Sequence, residues 1–170
     1  IQTISAGGIG DLIALDARIT APSDFPSSAS PLHWRHQRDL SGNNVMSMGI
    51  WYEAIMRWIG PATSVFALGQ AVVAHRLDAN GRRVATPISD HIDVLGELAQ
   101  GGQMRFNVST VVGHAPAAAD IHIFGTEGTL RLHQANGGEM ELHHGVRGGA
   151  MTEMKIDPAM RGAWRVEEEF

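Results

Sequence analysis

The sequence predicts an α+β fold: a large, mainly antiparallel open β-sheet with helices packed on one face. Three observations carry this prediction. Residues 44 to 59, within SGNNVMSMGIWYEAIMRWIG, form one long helical pattern; the chain after them alternates apolar and polar residues in short runs; and tight-turn signals separate those runs. Strands joined by tight turns pair antiparallel, and such sheets commonly bury only one face.

The elements follow in order. AGGIGD (Ala6 to Asp11) invites a phosphate-loop reading, but a dinucleotide fingerprint needs a strand before it and a helix after it, and here a strand follows. The glycines are therefore read as ending a helix and turning the chain into that strand, with Ile13, Leu15, Ala17 and Ile19 on one side and Asp16, Arg18 and Thr20 on the other. APSDFPSSASP (Ala21 to Pro31) is a turn-forming loop leading to LHWRHQRDL. In the helix that follows, Asn43 or Asn44 is placed to cap the start, Glu53 and Arg57 to pair at i,i+4, and Gly60-Pro61 to stop it. Its apolar residues run most of the way round, which predicts cover on more than one side, and Gly49 predicts close backbone packing. Thr63 to Arg76 reads as a long strand, ANGRR (Ala79 to Arg83) as a hairpin turn, and DHIDVLGELAQGG as strand or short helix before a Gly101-Gly102 turn. From Gln103 to Val112, Met104, Phe106, Val108, Thr110 and Val112 alternate with Arg105, Asn107 and Ser109. Shorter strands follow around Ile121 and Ile123, Leu130 and Leu132, Met140 and Leu142, and Met154 and Ile156. The second sheet face is expected to carry Arg105, Asn107, His122, Arg131, His133, Glu141 and His143.

Composition narrows the function. The 170 residues suit one domain with a real core, since 44% are hydrophobic. The absence of cysteine excludes disulfides, thiolate metal sites and cysteine nucleophiles, and fits a reducing, cytoplasmic setting. A net charge of -5 without basic blocks argues against nucleic acid, and no apolar run reaches the roughly 20 residues that cross a bilayer. The chain starts at Ile1 without a signal-peptide pattern and stops at WRVEEEF, a segment read as amphipathic and only just begun. The expectation is a single domain, residues 1–170, cut at both ends.

Several pieces in this order resemble a known family. They are the GGIG turn, a Trp-containing loop, SGNNVMSMGIWYEAIMRWIGPATSVFA, a long strand, IHIFGTEGTLRL and WRVEEEF. Together they resemble the C-terminal domain of the glucose-fructose oxidoreductase, inositol dehydrogenase and MocA (Gfo/Idh/MocA) family, a fold similar to the C-terminal domain of glyceraldehyde-3-phosphate dehydrogenase. The resemblance implies an NAD(P)-dependent oxidoreductase acting mostly on sugars or polyols. An N-terminal Rossmann domain, not matched here, would bind NAD or NADP, while this domain would line the substrate pocket and form homo-oligomers through its open sheet. The family's Glu-Lys-Pro lysine has no counterpart, because the one lysine, Lys155, lies in EMKID.

The helix departs from the family pattern G-G-G-x-x-x-D-x-G-x-H. Gly42 and Gly49 match, Ser41 and Asn43 replace glycines, Ser47 stands at the Asp and Trp51 at the His. An unactivated hydroxyl and an indole N–H are not general bases near neutral pH, so the usual acid-base pair is missing. Asn43, Asn44, Ser47, Trp51 and Tyr52 retain hydrogen-bonding groups and rings that suit a sugar or polyol, and Trp34 and Arg35 lie just before the helix with His33 and His36 beside them. The plain alternative is that the helix residues only pack and that Trp34 anchors a loop. For the histidine-bearing face, an oligomer interface is set against a solvated surface and a zinc site; adjacent His143 and His144 must point to opposite faces and cannot chelate together. Asp90 is expected to pair with an arginine or cap a turn. Two functions remain: the substrate-binding and oligomerisation part of an oxidoreductase, or a non-catalytic binding or scaffold module that kept the sheet and lost the acid-base pair.

Overall fold

A computed structural model describes residues 1–43, 45 and 48–156. The first turns of the chain, α1 (Gln2–Ser5), give way through Gly7 and Gly10, both in the left-handed region, to strand β1 (Leu12–Ile19). The turn reading of GGIG therefore holds. Its glycines are also fixed by contact: a methyl group on Gly125 would collide with the Ile9 carbonyl, and one on Gly128 would crowd that of Gly8. The GGIG and GTEG segments thus close against each other, with Glu127 N–H donating to the Ile9 carbonyl at 2.9 Å.

A single 3-10 turn (Trp34–His36) and α2 (Arg38–Ser41) lead toward the main helix, α3 (Met48–Ile59). Gly60 ends it with a positive φ, and the expected Glu53–Arg57 pair forms at 2.5 Å. Seven longer strands and three short ones follow or flank it: β2 (Ala62–Gln70), β3 (His75–Leu77), β4 (Arg83–Ala85), β5 (His91–Leu98), β6 (Gln103–Ser109), β7 (Ala119–Gly125), β8 (Gly128–Gln134), β9 (Met140–Val146) and β10 (Thr152–Glu153), with β1 the remaining long one. Among the described residues they build an eight-stranded sheet in the order β10-β9-β8-β7-β1-β6-β5-β2 and a separate β3-β4 hairpin. All pairs in the large sheet are antiparallel except β1 with β6, which are parallel because the intervening chain crosses over through α3. The Asn80-Gly81 hairpin is present, with Gly81 in the left-handed region.

One face of this sheet holds the core. Leu15, Ala17 and Ile19 of β1, Met104, Phe106 and Val108 of β6, and Ile121 and Ile123 of β7 are buried against Ile55 and Ile59 of α3. Four expectations need correction. Ile13 is 52% exposed, because a bulge between Leu12 and Ala14 turns it away from its strand's buried side. The β6 alternation stops at Ser109, whose buried hydroxyl bonds His91 Nδ1 at 3.0 Å, so the positions after it do not continue one face. The strand expected over residues 63–76 breaks after Gln70, where Asp90 Oδ1 and Oδ2 accept the N–H groups of Val72 and Val73 at 2.7 and 3.0 Å. Finally, among the described residues α3 is covered on one side only: Ile50 is 64% exposed and none of them packs against Gly49.

Candidate functional site

Two surfaces carry chemistry. The first is the sheet face opposite α3, where strand register sets charged side chains in rows. His122, Arg131 and His143 stand opposite one another across β7, β8 and β9, and so do Asp120, His133 and Glu141. The seven expected residues do share this face. Arg131 grips Asp120 through two bonds of 2.8 and 3.0 Å, His133 Nδ1 lies 3.2 Å from Arg131, Arg105 pairs with Asp16 at 3.3 Å, and Asn107 donates to Asp93 at 2.8 Å. Burial opposes ionisation of Asp120, but the Arg131 hydrogen bond and the charges of His122, Arg131 and His133 outweigh it and hold the carboxyl below its ordinary value. The same contact raises Arg131. His144 points the other way, with its Nε2 3.0 Å from the Gly8 carbonyl, as required of a strand neighbour of His143. Among the described residues no group of three or more His, Cys, Asp and Glu side chains is placed to hold a metal ion.

Asp120 is the residue that sequence reasoning missed. Its signal was present, since it lies two residues before His122 and alternation sends both to one face.

The second surface lies before α3. Trp34 is 46% exposed and carries the Arg35 guanidinium 4.2 Å from its ring centre. His33 and His36 close the turn reciprocally: His33 Nδ1 accepts the Arg35 N–H at 3.3 Å, and His36 Nδ1 accepts the His33 N–H at 3.2 Å. Ser41 Oγ, donating to the Arg35 carbonyl at 2.9 Å, ties the turn to α2. Burial lowers the His36 pKa, the Arg76 charge and His33 lower it further, and Asp90 opposes them.

The other expected site residues divide. Asn43 is exposed, and its carbonyl accepts the Val45 N–H at 3.0 Å. Asn44 and Ser47 lie outside the described residues, as does the expected helix start among them. Trp51 is half buried and packs on the core of the sheet. Tyr52 is committed further along, where its hydroxyl accepts the Ala62 N–H at 3.2 Å. Among the described residues no hydrogen bond or ring contact joins Trp51 or Tyr52 to the Trp34 turn. Asp90 does both things expected of it, capping the turn at Val72 and Val73 and facing Arg76 at 3.6 Å.

The eight-stranded sheet with one helix-covered face is a fold shared with solved oxidoreductase structures. Levoglucosan dehydrogenase, solved in complex with NADH and L-sorbose, superposes with a TM-score of 0.75 at 18% identity, over 93% of this chain and 44% of that one. An oxidoreductase domain protein from Kribbella flavida gives 0.75 at 18% identity over 90% and 43%. The transcriptional regulator Gal80p from Kluyveromyces lactis gives 0.63 at 20% identity over 90% and 41%. At these identities the likeness is one of fold, and the chain spans less than half the length of each structure. The GFO/IDH/MocA C-terminal domain model matches residues 1–131, and the chain belongs to that family. No curated protein matches it. Among the described residues no helix is long and apolar enough to cross a membrane.

Proposed function

We propose that this chain is the substrate-binding and oligomerisation domain of an NAD(P)-dependent sugar or polyol oxidoreductase, with hydride transfer carried by a Rossmann domain outside these 170 residues. The observation that supports it most is the family match over residues 1–131, a C-terminal domain match, together with a fold shared with an NADH-bound sugar-type dehydrogenase. The chain's own glycine-rich segment does not fit a dinucleotide: Gly7 to Gly10 close a turn packed against Gly125 and Gly128, and a strand follows. NAD or NADP, when bound by the other domain, supplies the hydride acceptor. This chain's residues bind and orient: Trp34 and Arg35 at the turn, with Asn43, Asn44, Ser47, Trp51 and Tyr52 as further substrate-side groups.

A titration of the 170-residue chain with NADH and NADPH, followed by nicotinamide fluorescence, tests this division. No binding, or binding far weaker than about micromolar, is expected. A tight complex with this chain alone would overturn the assignment of the cofactor to another domain.

The open face supports self-association. It is rich in Asp, Arg and His, and the adjoining edge strand β2 leaves Val65, Phe66 and Leu68 60%, 70% and 69% exposed, a surface that folded chains normally cover. Light scattering is expected to show a concentration-dependent dimer or larger species, weakened at least about tenfold by Arg105→Glu, which sets a carboxylate beside Asp16. Arg105 is 67% exposed at its side chain, so the substitution spares the fold. A chain that stays monomeric at high concentration would remove oligomerisation from the proposal.

One observation favours a second reading. Trp51, at the position where the family carries an acid-base histidine, packs on the core, and the fold is shared with a transcriptional regulator, Gal80p. A protein that binds a sugar without oxidising it would keep everything described here. Turnover of NAD(P) with sugar by the complete gene product separates the two.

A further inference from the structure

The Trp34 turn differs from the open face in one respect: its side chains donate hydrogen bonds and offer almost nothing that accepts them. A ring nitrogen that accepts a backbone N–H carries no proton, so in both His33 and His36 the proton of the neutral imidazole sits on Nε2. Two N–H donors are thereby fixed by the backbone. Beside them lies the Arg35 guanidinium, which has Trp34's ring beneath it and no carboxylate partner among the described residues. The carboxylate whose charge bears on His36 is Asp90, and it is already engaged by the Val72 and Val73 N–H groups and faced by Arg76. His33 is exposed and its ring centre lies 5.6 Å from that of Trp34 and 6.0 Å from that of His36, so the donors form one compact group.

We propose that the His33–His36 turn is a preformed recognition site for an anionic oxygen group carried by a sugar-like ligand, a carboxylate or a phosphate. Arg35 and the two Nε2–H groups take the charged oxygens, and the exposed face of Trp34 takes the C–H side of the carbon chain. The hydroxyls of a neutral sugar can accept these N–H groups, but they bring donors that find few acceptors here and no charge to meet the guanidinium; an anionic oxygen group presents acceptors only and makes charge-assisted bonds. The lowered pKa of His36 agrees with a ring that stays neutral, keeping its Nδ1 bond to the turn intact. This inference rests on the reading of Trp34 and Arg35 as substrate-side residues and narrows the substrate to an acidic or phosphorylated sugar.

The test is a comparison of three probes on the 15N-labelled 170-residue chain: sodium D-gluconate, D-glucose 6-phosphate and D-sorbitol. Shifts of the His33 and His36 imidazole nitrogens and the Trp34 indole report the turn. At least one anionic probe is expected to bind there about tenfold or more tightly than sorbitol, with the tighter of the two identifying the anion. Arg35→Gln should erase that preference, while Arg38→Gln, a nearby exposed arginine in α2, should leave it, which separates a built site from a diffuse positive field. Equal binding of sorbitol and the anions at the turn would overturn the anion site and leave the neutral-sugar reading standing. Shifts confined to Trp51 would overturn the anion site and move substrate binding to the helix. No response of the turn to any probe, or Nδ1-protonated rings in the free chain, would overturn the inference outright.

Discussion

Replacing Asp90 with Ala is expected to destabilise the chain by about 3–5 kcal/mol, the cost of breaking a buried charge pair from one side. The distances say where that cost arises. At 3.6 Å the Arg76 contact is too long for a charge-assisted hydrogen bond, and Arg76 Nε is buried without a partner, so the direct attraction is the smaller part. The larger part is what Asp90 leaves behind. The Val72 and Val73 N–H groups lose acceptors at 2.7 and 3.0 Å, at about 1–3 kcal/mol for the buried Val73 donor and less for the part-buried Val72 one, and a guanidinium only 10% exposed is stranded beside them. The double substitution Asp90→Ala with Arg76→Met should therefore recover part of the loss, because it removes the stranded charge but not the orphaned amides. Urea unfolding of the unsubstituted chain and the two variants decides this; a loss below about 1 kcal/mol for Asp90→Ala alone would show that water reaches the turn and that the carboxylate is not its closing element.

The same turn shows why part of the fold was legible in the sequence and part was not. Alternation over residues 13–20 and 103–112 located β1 and β6, and the same alternation in the shorter strands that follow put His122, Arg131, His133, Glu141 and His143 on one face with Arg105 and Asn107, because period-two geometry is local. Tertiary facts lay outside that reach. Nothing in residues 63–76 announces that a carboxylate near residue 90 will fold residues 71–74 out of the strand, and nothing around Ile13 announces the bulge that exposes it. The over-covered helix has a different cause. Apolar residues all round α3 read as burial on several sides, yet Ile50 is 64% exposed; a pattern of hydrophobicity shows that a surface wants cover, not that this chain supplies it. At the candidate site the residue types were legible and the tautomers were not, since the His33 and His36 hydrogen bonds depend on turn geometry that spacing alone does not give.

Phe106→Ala is expected to cost about 3–5 kcal/mol, the range for emptying an aromatic site in a core that collapses only partly. Phe106 is 1% exposed on β6, with β1 on one side and β5 on the other, so the void would open at the middle of the sheet under α3. Its neighbour Asn107 faces the other way, donating to Asp93 and to the Ile92 carbonyl at 2.8 and 3.2 Å, and Asn107→Ala is expected to cost no more than about 1 kcal/mol. Adjacent positions thus separate the two faces, one held by packing and the other by charge. If the open face also joins copies of the chain, the Phe106→Ala variant should melt at a temperature that rises with protein concentration, because association of folded chains offsets part of what the core has lost. Thermal unfolding over a wide concentration range reads both effects together. A large loss at Asn107 with little at Phe106 would mean that the open face, not the α3 side, is where this sheet is buried.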